Sequence, residues 1–299
     1  MRTLLALALG LAVASAAQAQ PPVPSGPRSL QASDLRAEIE RNGRVELPTM
    51  GLVAERFDFD HDGARVEAVI VRPADAAPHP GLVLVPGHSR TAYDMLPQAI
   101  RFARAGFATV AVSQPGYGGS AGAADFAGPR TVAALQAAAE RFASQPFVDR
   151  TRLGIYGYSR GALAAASLAA RTDLFKASVL GGGIYDFRAA YDQVGLAGIR
   201  ANMEAEAGLS DEAIRARSPI NDMAGLDGPV LIIHGDQDAN APPAQARALA
   251  DRLTALGREH RLVLVPGGGH ALSMNDVVVP AIEFFTRALQ PPPLGGERG

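Results

Sequence analysis

The stretch Leu153-Gly-Ile-Tyr-Gly-Tyr-Ser-Arg-Gly161 decides the fold prediction, because a short, mostly apolar segment runs directly into a serine flanked by glycines. Residues 153–156 predict a buried strand, and the alanine-rich segment 162–171 predicts a helix. Between them, Gly157-Tyr-Ser-Arg-Gly161 matches G-x-S-x-G, a pattern that places a serine on a sharp strand-to-helix turn. The match alone is weak evidence, but it lies where such a turn must lie.

Outward from this turn, short apolar runs alternate with helical segments along most of the chain. Further strands are predicted at residues 82–86, 107–112, 177–180, 230–233 and 262–265. Further helices are predicted at residues 92–106, 130–144, 243–256 and 275–289. Two alternating segments on either side of His61-Asp-Gly63, at 56–60 and 64–72, predict an antiparallel hairpin. The pattern therefore predicts an α/β fold with a mostly parallel sheet, an N-terminal antiparallel hairpin and helices on both faces.

Residues 185–219 interrupt this alternation, since they contain helical patterns but no buried strand. Long connections in compact domains are usually functional, so we expect a small helical cap inserted over one end of the sheet. Such a cap would contact or gate the substrate. An enlarged ordinary crossover is the alternative interpretation.

Two more chemically useful side chains follow later strands. A serine hydroxyl needs a general base, and the base needs an acid that orients it. Asp238 follows the strand at 230–233, and His270 follows the last strand. Because the carboxyl ends of parallel strands meet at one edge of a sheet, we predict Ser159 as nucleophile, His270 as base and Asp238 as orienting acid. Asp236, two residues nearer its strand, is the rival for the acid.

The oxyanion of such a reaction needs two backbone N–H donors. One is expected from Arg160, directly after the nucleophile, and the other from the loop Pro86-Gly-His-Ser-Arg90. In that loop we favour the N–H of His88, with Ser89 as the alternative. The candidate pocket residues are Ser89, Tyr117, Tyr158 and Tyr185.

The segment Gln114-Pro-Gly-Tyr-Gly-Gly-Ser120 partly mimics a dinucleotide-binding fingerprint. No helix opens directly after it, and the acidic residue about 20 positions on, Glu140, falls within a predicted helix rather than at a strand end. We therefore expect a tight turn beside the active site and no nucleotide cofactor.

The amino-acid composition excludes several further classes of function and binding site. The 299 residues contain no cysteine, which excludes disulfides, thiolate nucleophiles and cysteine-bound zinc. The sequence also lacks H-E-x-x-H, so no metal site is predicted. A formal net charge of −2 leaves no broad basic surface for nucleic acid. We expect a small-molecule ester or a short peptide as the partner, and the oligomeric state stays open.

The first residues have the features of an export signal. A short positive start precedes an apolar run, and Ala17-Gln-Ala19 supplies the small residues that signal peptidase requires. We predict a signal peptide over 1–19, cleaved after Ala19, and a periplasmic or secreted protein without a membrane anchor. An uncleaved anchor is the alternative. The remaining chain divides into a lead-in with a short helix (20–47), the catalytic domain (48–290) and a flexible tail (291–299).

From about residue 50 to residue 289 the chain resembles the α/β-hydrolases. It is most similar to the group of dienelactone hydrolases and the catalytic domains of prolyl oligopeptidases, the S9-like peptidases. The matching pieces are Gly157-Tyr-Ser-Arg-Gly161, Arg217-Ser-Pro-Ile220, Val230-Leu-Ile-Ile-His-Gly-Asp-Gln-Asp238 and Gly267-Gly-Gly-His270. The resemblance places the family's nucleophile, acid and base on Ser159, Asp238 and His270.

Several departures from the family favour a small ester. Oligopeptidases of this group usually carry a β-propeller before the hydrolase domain, and we expect none here because only about 60 residues precede the predicted sheet. The paired acidic residues with which dipeptidyl peptidases bind a substrate amine also have no match. Arg160 replaces a frequent aromatic residue, and Pro86 replaces a histidine. We expect a serine hydrolase that cleaves carboxylic esters through an acyl-enzyme. An S9-like peptidase or an acyltransferase with the same triad, and a non-catalytic binding protein on this fold, are the alternatives.

Overall fold

The computed structural model describes residues 32–290. The predicted signal peptide, the first part of the lead-in and the predicted tail lie outside the described residues, so the expectations about them stay predictions. Between residues 32 and 290, no helix is both long enough and apolar enough to span a bilayer.

Eleven strands are present in the described residues. They are β1 (Arg44–Leu47), β2 (Leu52–Arg56), β3 (Phe59–His61), β4 (Ala64–Val66), β5 (Ala68–Pro73), β6 (His79–Val85), β7 (Ala108–Val112), β8 (Val148–Tyr158), β9 (Ala177–Gly181), β10 (Val230–Gly235) and β11 (His260–Val265). The strands predicted from apolar runs correspond to β6 to β11, and β8 begins earlier than expected.

Nine α-helices accompany the strands in the same part of the chain. They are α1 (Ala32–Asn42), α2 (Leu96–Arg104), α3 (Pro129–Ala143), α4 (Arg160–Ala169), α5 (Phe187–Gln193), α6 (Ala197–Ala207), α7 (Asp211–Ala216), α8 (Ala244–Ala255) and α9 (Met274–Ala288). A short 3₁₀ turn, Ala92–Met95, leads into α2, so the helix expected from residue 92 begins in a tighter form.

Nine strands form one sheet in the order β1-β2-β5-β7-β6-β8-β9-β10-β11. From β7 to β11 every neighbouring pair is parallel, whereas β1, β2 and β5 join by antiparallel ladders. The mostly parallel α/β architecture is therefore confirmed. The first strand, β1, begins four residues before the predicted start of the catalytic domain.

The core lies in two layers, one on each face of the sheet. Alternation along the strands separates them: Val83 faces one layer and Leu84 the other. Helices α3, α4 and α8 contribute buried residues to the first layer, and α1, α2 and α9 contribute to the second. In the second layer the rings of Phe102 and Phe285 pack edge to face, with centroids 6.1 Å apart. Helices thus cover both faces, as predicted.

The predicted N-terminal antiparallel hairpin is present but shorter than predicted. Its turn is present, but β3 and β4 form a separate two-stranded sheet, and the second arm breaks before β5 joins β2 in the main sheet. The break occurs where side chains capture the backbone donors. The N–H of Glu67 donates to Ser120 Oγ at 2.9 Å, and that of Ala68 donates to Asp58 Oδ1 at 3.0 Å.

The segment between β9 and β10 contains α5, α6 and α7, and none of its described residues forms a strand. Two of these helices begin at side-chain caps. Asp186 accepts the N–H of Ala189 at the start of α5, and Ser210 accepts the N–H of Ala213 at the start of α7. These helices occupy the residues where the sequence predicts a cap.

Candidate active site

The carboxyl edge of the parallel sheet delivers four loops to one place. Register pairs Val85 of β6 with Gly157 of β8, so the loops that follow these strands emerge side by side. Strands β10 and β11 end in register in the same way, at Gly235 and Val265. The loops after β6, β8, β10 and β11 carry His88, Ser159, Asp238 and His270, respectively.

Ser159 occupies a strained turn between β8 and α4. Its backbone angles are φ 57° and ψ −127°, a region that a residue with a side chain adopts only when the surroundings enforce it. Helix α4 approaches the neighbouring strand β6 closely here, since a Cβ on Gly161 would collide with the carbonyl oxygen of Val85. The required glycine explains why the sequence pattern allows no larger residue at that position.

Ser159, His270 and Asp238 form a hydrogen-bonded chain. His270 Nε2 lies 2.8 Å from Ser159 Oγ, and His270 Nδ1 lies 2.8 Å from Asp238 Oδ2. Because a carboxylate only accepts hydrogen bonds, Nδ1 carries the proton and Nε2 faces the hydroxyl with its lone pair. The imidazole is thereby set to take a proton from the serine.

Asp238 is buried at the end of this chain. Burial acts to raise its pKa, but hydrogen bonds from His270 and from the N–H of Ala241 outweigh burial, and the pKa lies below its ordinary value. Its second oxygen accepts the N–H groups of Asn240 and Ala241 at 2.8 and 2.9 Å. The rival acid, Asp236, is exposed and accepts the N–H of Gly267 instead.

His234 lies beneath Asp238 and is fully buried. Its Nε2 is 2.7 Å from the carbonyl oxygen of Ala241 and 3.4 Å from Asp238 Oδ2, so Nε2 carries the proton. Its Nδ1 is buried without a hydrogen-bond partner among the described residues. Burial lowers the pKa of His234, which keeps the imidazole neutral.

The two predicted oxyanion donors, the N–H groups of Arg160 and His88, are both free of an intramolecular acceptor among the described residues. Arg160 is the first residue of α4, so its N–H has no acceptor within the helix. The N–H of His88 likewise has no acceptor in residues 32–290. Gly87 allows this loop to approach, because a Cβ there would lie 3.2 Å from Ser159 Cβ. His88 lines the cavity at the serine, whereas Ser89, with φ 58°, does not line it, contrary to the prediction that made it a pocket residue.

The three candidate tyrosines have different places. Tyr158 lines the cavity and donates to the carbonyl oxygen of His270 at 2.6 Å, and burial raises its pKa to about 12. Tyr117 does not line the cavity but contacts the side chains of His88 and Arg160. The prediction that Tyr185 lines the pocket is wrong, because Tyr185 is fully buried in the core. Its neighbour Ile184 lines the cavity instead.

A cavity of about 580 Å³ surrounds the serine and crosses the sheet edge. Its lining on one side comes from the cap and the first core layer: Phe126, Ile184, Ile199 and Asn202. Its lining on the other side comes from α2, α9 and the second core layer: Met95, Gln98, Tyr156, Met274, Val277 and Val278. Ser159 therefore stands between a cap-side compartment and an α2–α9 compartment.

The charged groups that line this cavity are engaged by partners. Arg160 pairs with Glu206 of α6, Nη1 to Oε2 at 2.6 Å, and both side chains are largely buried. At the rim, Arg90 Nη1 lies 3.8 Å from Asp94 Oδ1. In the described residues, no group of three histidine, cysteine or acidic side chains is arranged to hold a metal ion.

Sequence reasoning missed Glu206 and the other cap residues at the site. Ile199, Asn202 and Glu206 are spaced at i, i+3 and i+7, which places them on one face of α6. That spacing is visible in the sequence and marks a face turned toward the rest of the domain. It could not indicate which loop the face meets, because that depends on how the cap lies over the sheet.

Comparison with known proteins places this site in a family. A sequence profile described as the prolyl oligopeptidase family matches residues 98–291. The uncharacterized peptidase YuxL of Bacillus subtilis (strain 168) is 25% identical over 265 residues, 84% of this chain and 39% of YuxL. The uncharacterized peptidase YtmA of the same organism is 27% identical over 224 residues, 73% of this chain and 86% of YtmA. The chain spans about two-fifths of the length of YuxL.

Solved structures show the same fold at low identity. An acylaminoacyl peptidase from Pyrococcus horikoshii superposes with a TM-score of 0.69 at 23% identity, over 82% of this chain and 43% of that one. Acetyl xylan esterase 1 from Thermoanaerobacterium sp. JW/SL YS485 superposes with a TM-score of 0.67 at 19% identity, over 82% of this chain and 86% of that one.

Proposed function

The chain is a serine hydrolase of the prolyl oligopeptidase family, and from this premise we propose that it cleaves carboxylic esters through an acyl-enzyme. Ser159 is the nucleophile, His270 the general base and acid, and Asp238 the residue that orients His270. The backbone N–H groups of Arg160 and His88 form the oxyanion hole. No cofactor takes part in this reaction.

In the acylation half, Ser159 Oγ attacks the ester carbonyl carbon while its proton moves to His270 Nε2. The carbonyl π electrons move onto oxygen, and the oxyanion accepts hydrogen bonds from the two N–H groups. Asp238 stabilises the imidazolium through Nδ1. When the tetrahedral intermediate collapses, the C–O bond to the alcohol breaks and His270 gives its proton to the leaving oxygen.

In the deacylation half, the same groups work on water. His270 Nε2 takes a proton from a water molecule, whose oxygen attacks the acyl carbon. The second tetrahedral intermediate uses the same two N–H donors. Its collapse breaks the bond to Ser159 Oγ, which takes the proton from His270, and the carboxylic acid leaves. Both halves use the 2.8 Å contacts from His270 to Ser159 and Asp238.

The charge of the cavity is the observation that favours esters. A peptidase that recognises a peptide end needs an unpaired charge beside the serine for the terminal amine or carboxylate. Among the described residues that line the cavity, Arg160 and Arg90 each face an acid, and much of the remaining wall is apolar. A neutral ester can be bound here without leaving a buried charge unpaired.

A peptidase is the second candidate, and the family match favours it. Two relatives bear the name peptidase, and the fold is shared with both an acylaminoacyl peptidase and an acetyl xylan esterase. An internal or N-blocked peptide presents no free terminus and would also suit an uncharged cavity. The two activities therefore have to be separated by assay.

The experiment uses matched substrates that differ in one bond or one charge. N-acetylalanine p-nitrophenyl ester, N-acetylalanine p-nitroanilide and the free-amine alanine p-nitrophenyl ester are compared by kcat/KM. We expect turnover of the N-acetyl ester, weaker turnover of the free-amine ester and little of the anilide. Turnover of the anilide comparable to its ester would overturn the proposal in favour of a peptidase.

Ser159→Ala provides the control for the nucleophile. It is expected to abolish ester turnover and labelling by a fluorophosphonate probe, while circular dichroism and the thermal transition stay as in the wild type. A wild-type protein that neither hydrolyses esters nor reacts with the probe would instead be a binding protein on this fold.

A further inference from the structure

The side chain of Arg160 is held far more firmly than its role as a backbone donor requires. Its guanidinium is buried and contacts Glu206 through two nitrogens, Nη1 to Oε2 at 2.6 Å and Nη2 to Oε1 at 3.3 Å. Nη1 also donates to Tyr117 Oη at 2.6 Å, and the carbon of the guanidinium lies 4.1 Å from the ring centroid of Phe126. An arginine at the head of α4 is thus tied to the cap.

Both carboxylate oxygens of Glu206 are occupied as hydrogen-bond acceptors. Its Oε1 accepts the hydroxyl of Tyr117 at 3.0 Å, and its Oε2 accepts the N–H of Phe126 at 3.2 Å, in addition to Arg160. No oxygen of Glu206 is left to bind a substrate amine. Its function has to be sought in what it holds.

The hydroxyl of Tyr117 also connects Glu206 to His88. The phenol has one proton, which it donates to Glu206, so its oxygen accepts from Arg160 and from His88 Nδ1, 3.2 Å away. His88 is therefore the Nδ1–H tautomer, and its Nε2 lone pair faces Asn202 Nδ2 at 3.4 Å. Burial and the nearby Arg160 cation lower the pKa of His88, which agrees with a neutral ring.

The two residues so held are the two whose N–H groups are assigned to the oxyanion hole. Arg160 is held directly by Glu206, and His88 is held by Tyr117, which Glu206 also contacts. One acidic residue of α6 in the cap thus fixes the side chains of both oxyanion donors. A pair of donors acts on a transition state only when both are positioned before the charge develops.

We propose that Glu206 is a positioning residue that aligns the oxyanion hole through Arg160 and Tyr117, and that the cap completes the catalytic site as well as lining it. The inference rests on the proposed function, since it assumes that the N–H groups of Arg160 and His88 bind an oxyanion. Substrate contact is not required of Glu206.

The test uses a change in the substrate that only the oxyanion hole can sense. A thionoester carries sulfur in place of the carbonyl oxygen, and sulfur is larger and a weaker hydrogen-bond acceptor. The ratio of kcat/KM for a p-nitrophenyl ester to that for its thiono analogue therefore reports donor alignment. We expect Glu206→Gln and Tyr117→Phe to lower this ratio by at least about tenfold, with kcat affected more than KM.

Tyr191→Phe is the matched control, because Tyr191 lies on α5 of the same cap and its hydroxyl donates to Glu204 rather than to Glu206. It is expected to leave the ratio unchanged. Tyr117→Phe keeps the proposal testable if Glu206→Gln fails to fold, which the thermal transition would reveal. A folded variant whose ester and thionoester rates fall in proportion, or do not fall, would overturn the proposed positioning role of Glu206. A wild type without ester turnover would instead overturn the proposed function.

Discussion

Asp236 and Asp238 are two acids in one loop with different surroundings, and they give a sharp test of the acid's role. Asp238→Asn removes the negative charge next to His270 Nδ1 and allows the wrong tautomer, with Nε2 protonated toward Ser159. We expect kcat for ester hydrolysis to fall by about 10³- to 10⁴-fold with little change of fold.

Asp236→Asn is the control, because its amide oxygen can still accept the N–H of Gly267, as the carboxylate does. We expect ester turnover within a few-fold of wild type. If Asp236→Asn were the more damaging substitution, the assignment of the acid would pass to Asp236.

The burial of His234 predicts how the free energy of unfolding depends on pH. Because its folded pKa is lowered by burial, the unfolded chain binds a proton at the ordinary histidine pKa of about 6.5 while the folded protein excludes it. The contribution of His234 to the free energy of unfolding is therefore present above about pH 6.5 and declines as the pH falls below it. Urea unfolding of the wild type between pH 8 and pH 5 measures this decline.

His234→Gln cannot titrate, yet its amide can donate to the carbonyl oxygen of Ala241 as Nε2 does. We expect a smaller loss of stability between pH 8 and pH 5 than in the wild type. Identical pH profiles of the wild type and the variant would show that His234 does not contribute.

At the residue scale the sequence predicted Ser159, Asp238 and His270 because each follows a strongly apolar strand, and parallel strands end at one edge. It did not predict Glu206, whose partners Arg160 and Tyr117 are 46 and 89 residues away. Contacts of that range depend on where the cap lies, which no local pattern encodes. The same reason explains the wrong prediction for Tyr185, since no local sequence pattern distinguishes a core tyrosine from one that lines a pocket.

At the scale of elements, α9 begins only four residues after His270, so we expect its start to position the loop that carries His270. Ser273 and Asp276 form a capping box there, with Ser273 Oγ accepting the N–H of Asp276 at 3.2 Å. We expect Ser273→Ala to lower the free energy of unfolding by about 1 kcal/mol and also to reduce kcat. Chemical denaturation and ester kinetics measure the two effects.

Ser210→Ala removes the equivalent N-cap of α7, where Ser210 Oγ accepts the N–H of Ala213 at 3.2 Å. It is expected to cost a similar free energy with no change of kcat, because α7 contributes no residue to the cavity lining among the described residues. Equal kinetic effects of the two variants would mean that the start of α9 does not position His270.

The elements themselves were largely predictable, and the exception has a physical reason. Strands β7, β9 and β10 are fully buried apolar runs, as are the second halves of β6 and β8, and the partly exposed edge strand β11 is also mostly apolar; such runs are easily recognised in a sequence. The break between β4 and β5 does not, because it arises where Ser120 and Asp58 capture backbone donors. Ser120 is 53 residues from the N–H that it accepts, so the interruption is a tertiary event.

At the scale of the whole molecule, the cavity extends to both sides of the sheet edge, so the two parts of a substrate would occupy different compartments. In the proposed ester hydrolysis His270 delivers its proton to the leaving oxygen, so we expect the alcohol of the ester on the side of His270. Residues 271–274 follow directly and lead into α9, which walls the α2–α9 compartment. We then expect the acyl group on the cap side, where Ile184 and Ile199 line the cavity.

This division predicts that the two compartments can be filled independently. Met274→Trp narrows the α2–α9 compartment, and Ile199→Trp narrows the cap side; both side chains are partly exposed, so a larger ring can be accommodated. Two substrate series measure the effect, one varying the acyl chain with a fixed alcohol and one varying the alcohol with a fixed acetyl group. We expect Met274→Trp to lower kcat/KM selectively for bulky alcohols and Ile199→Trp to lower it selectively for long acyl chains. Reversed selectivities would place the acyl group against α9, and His270 would then have to protonate a leaving group that departs beneath the cap.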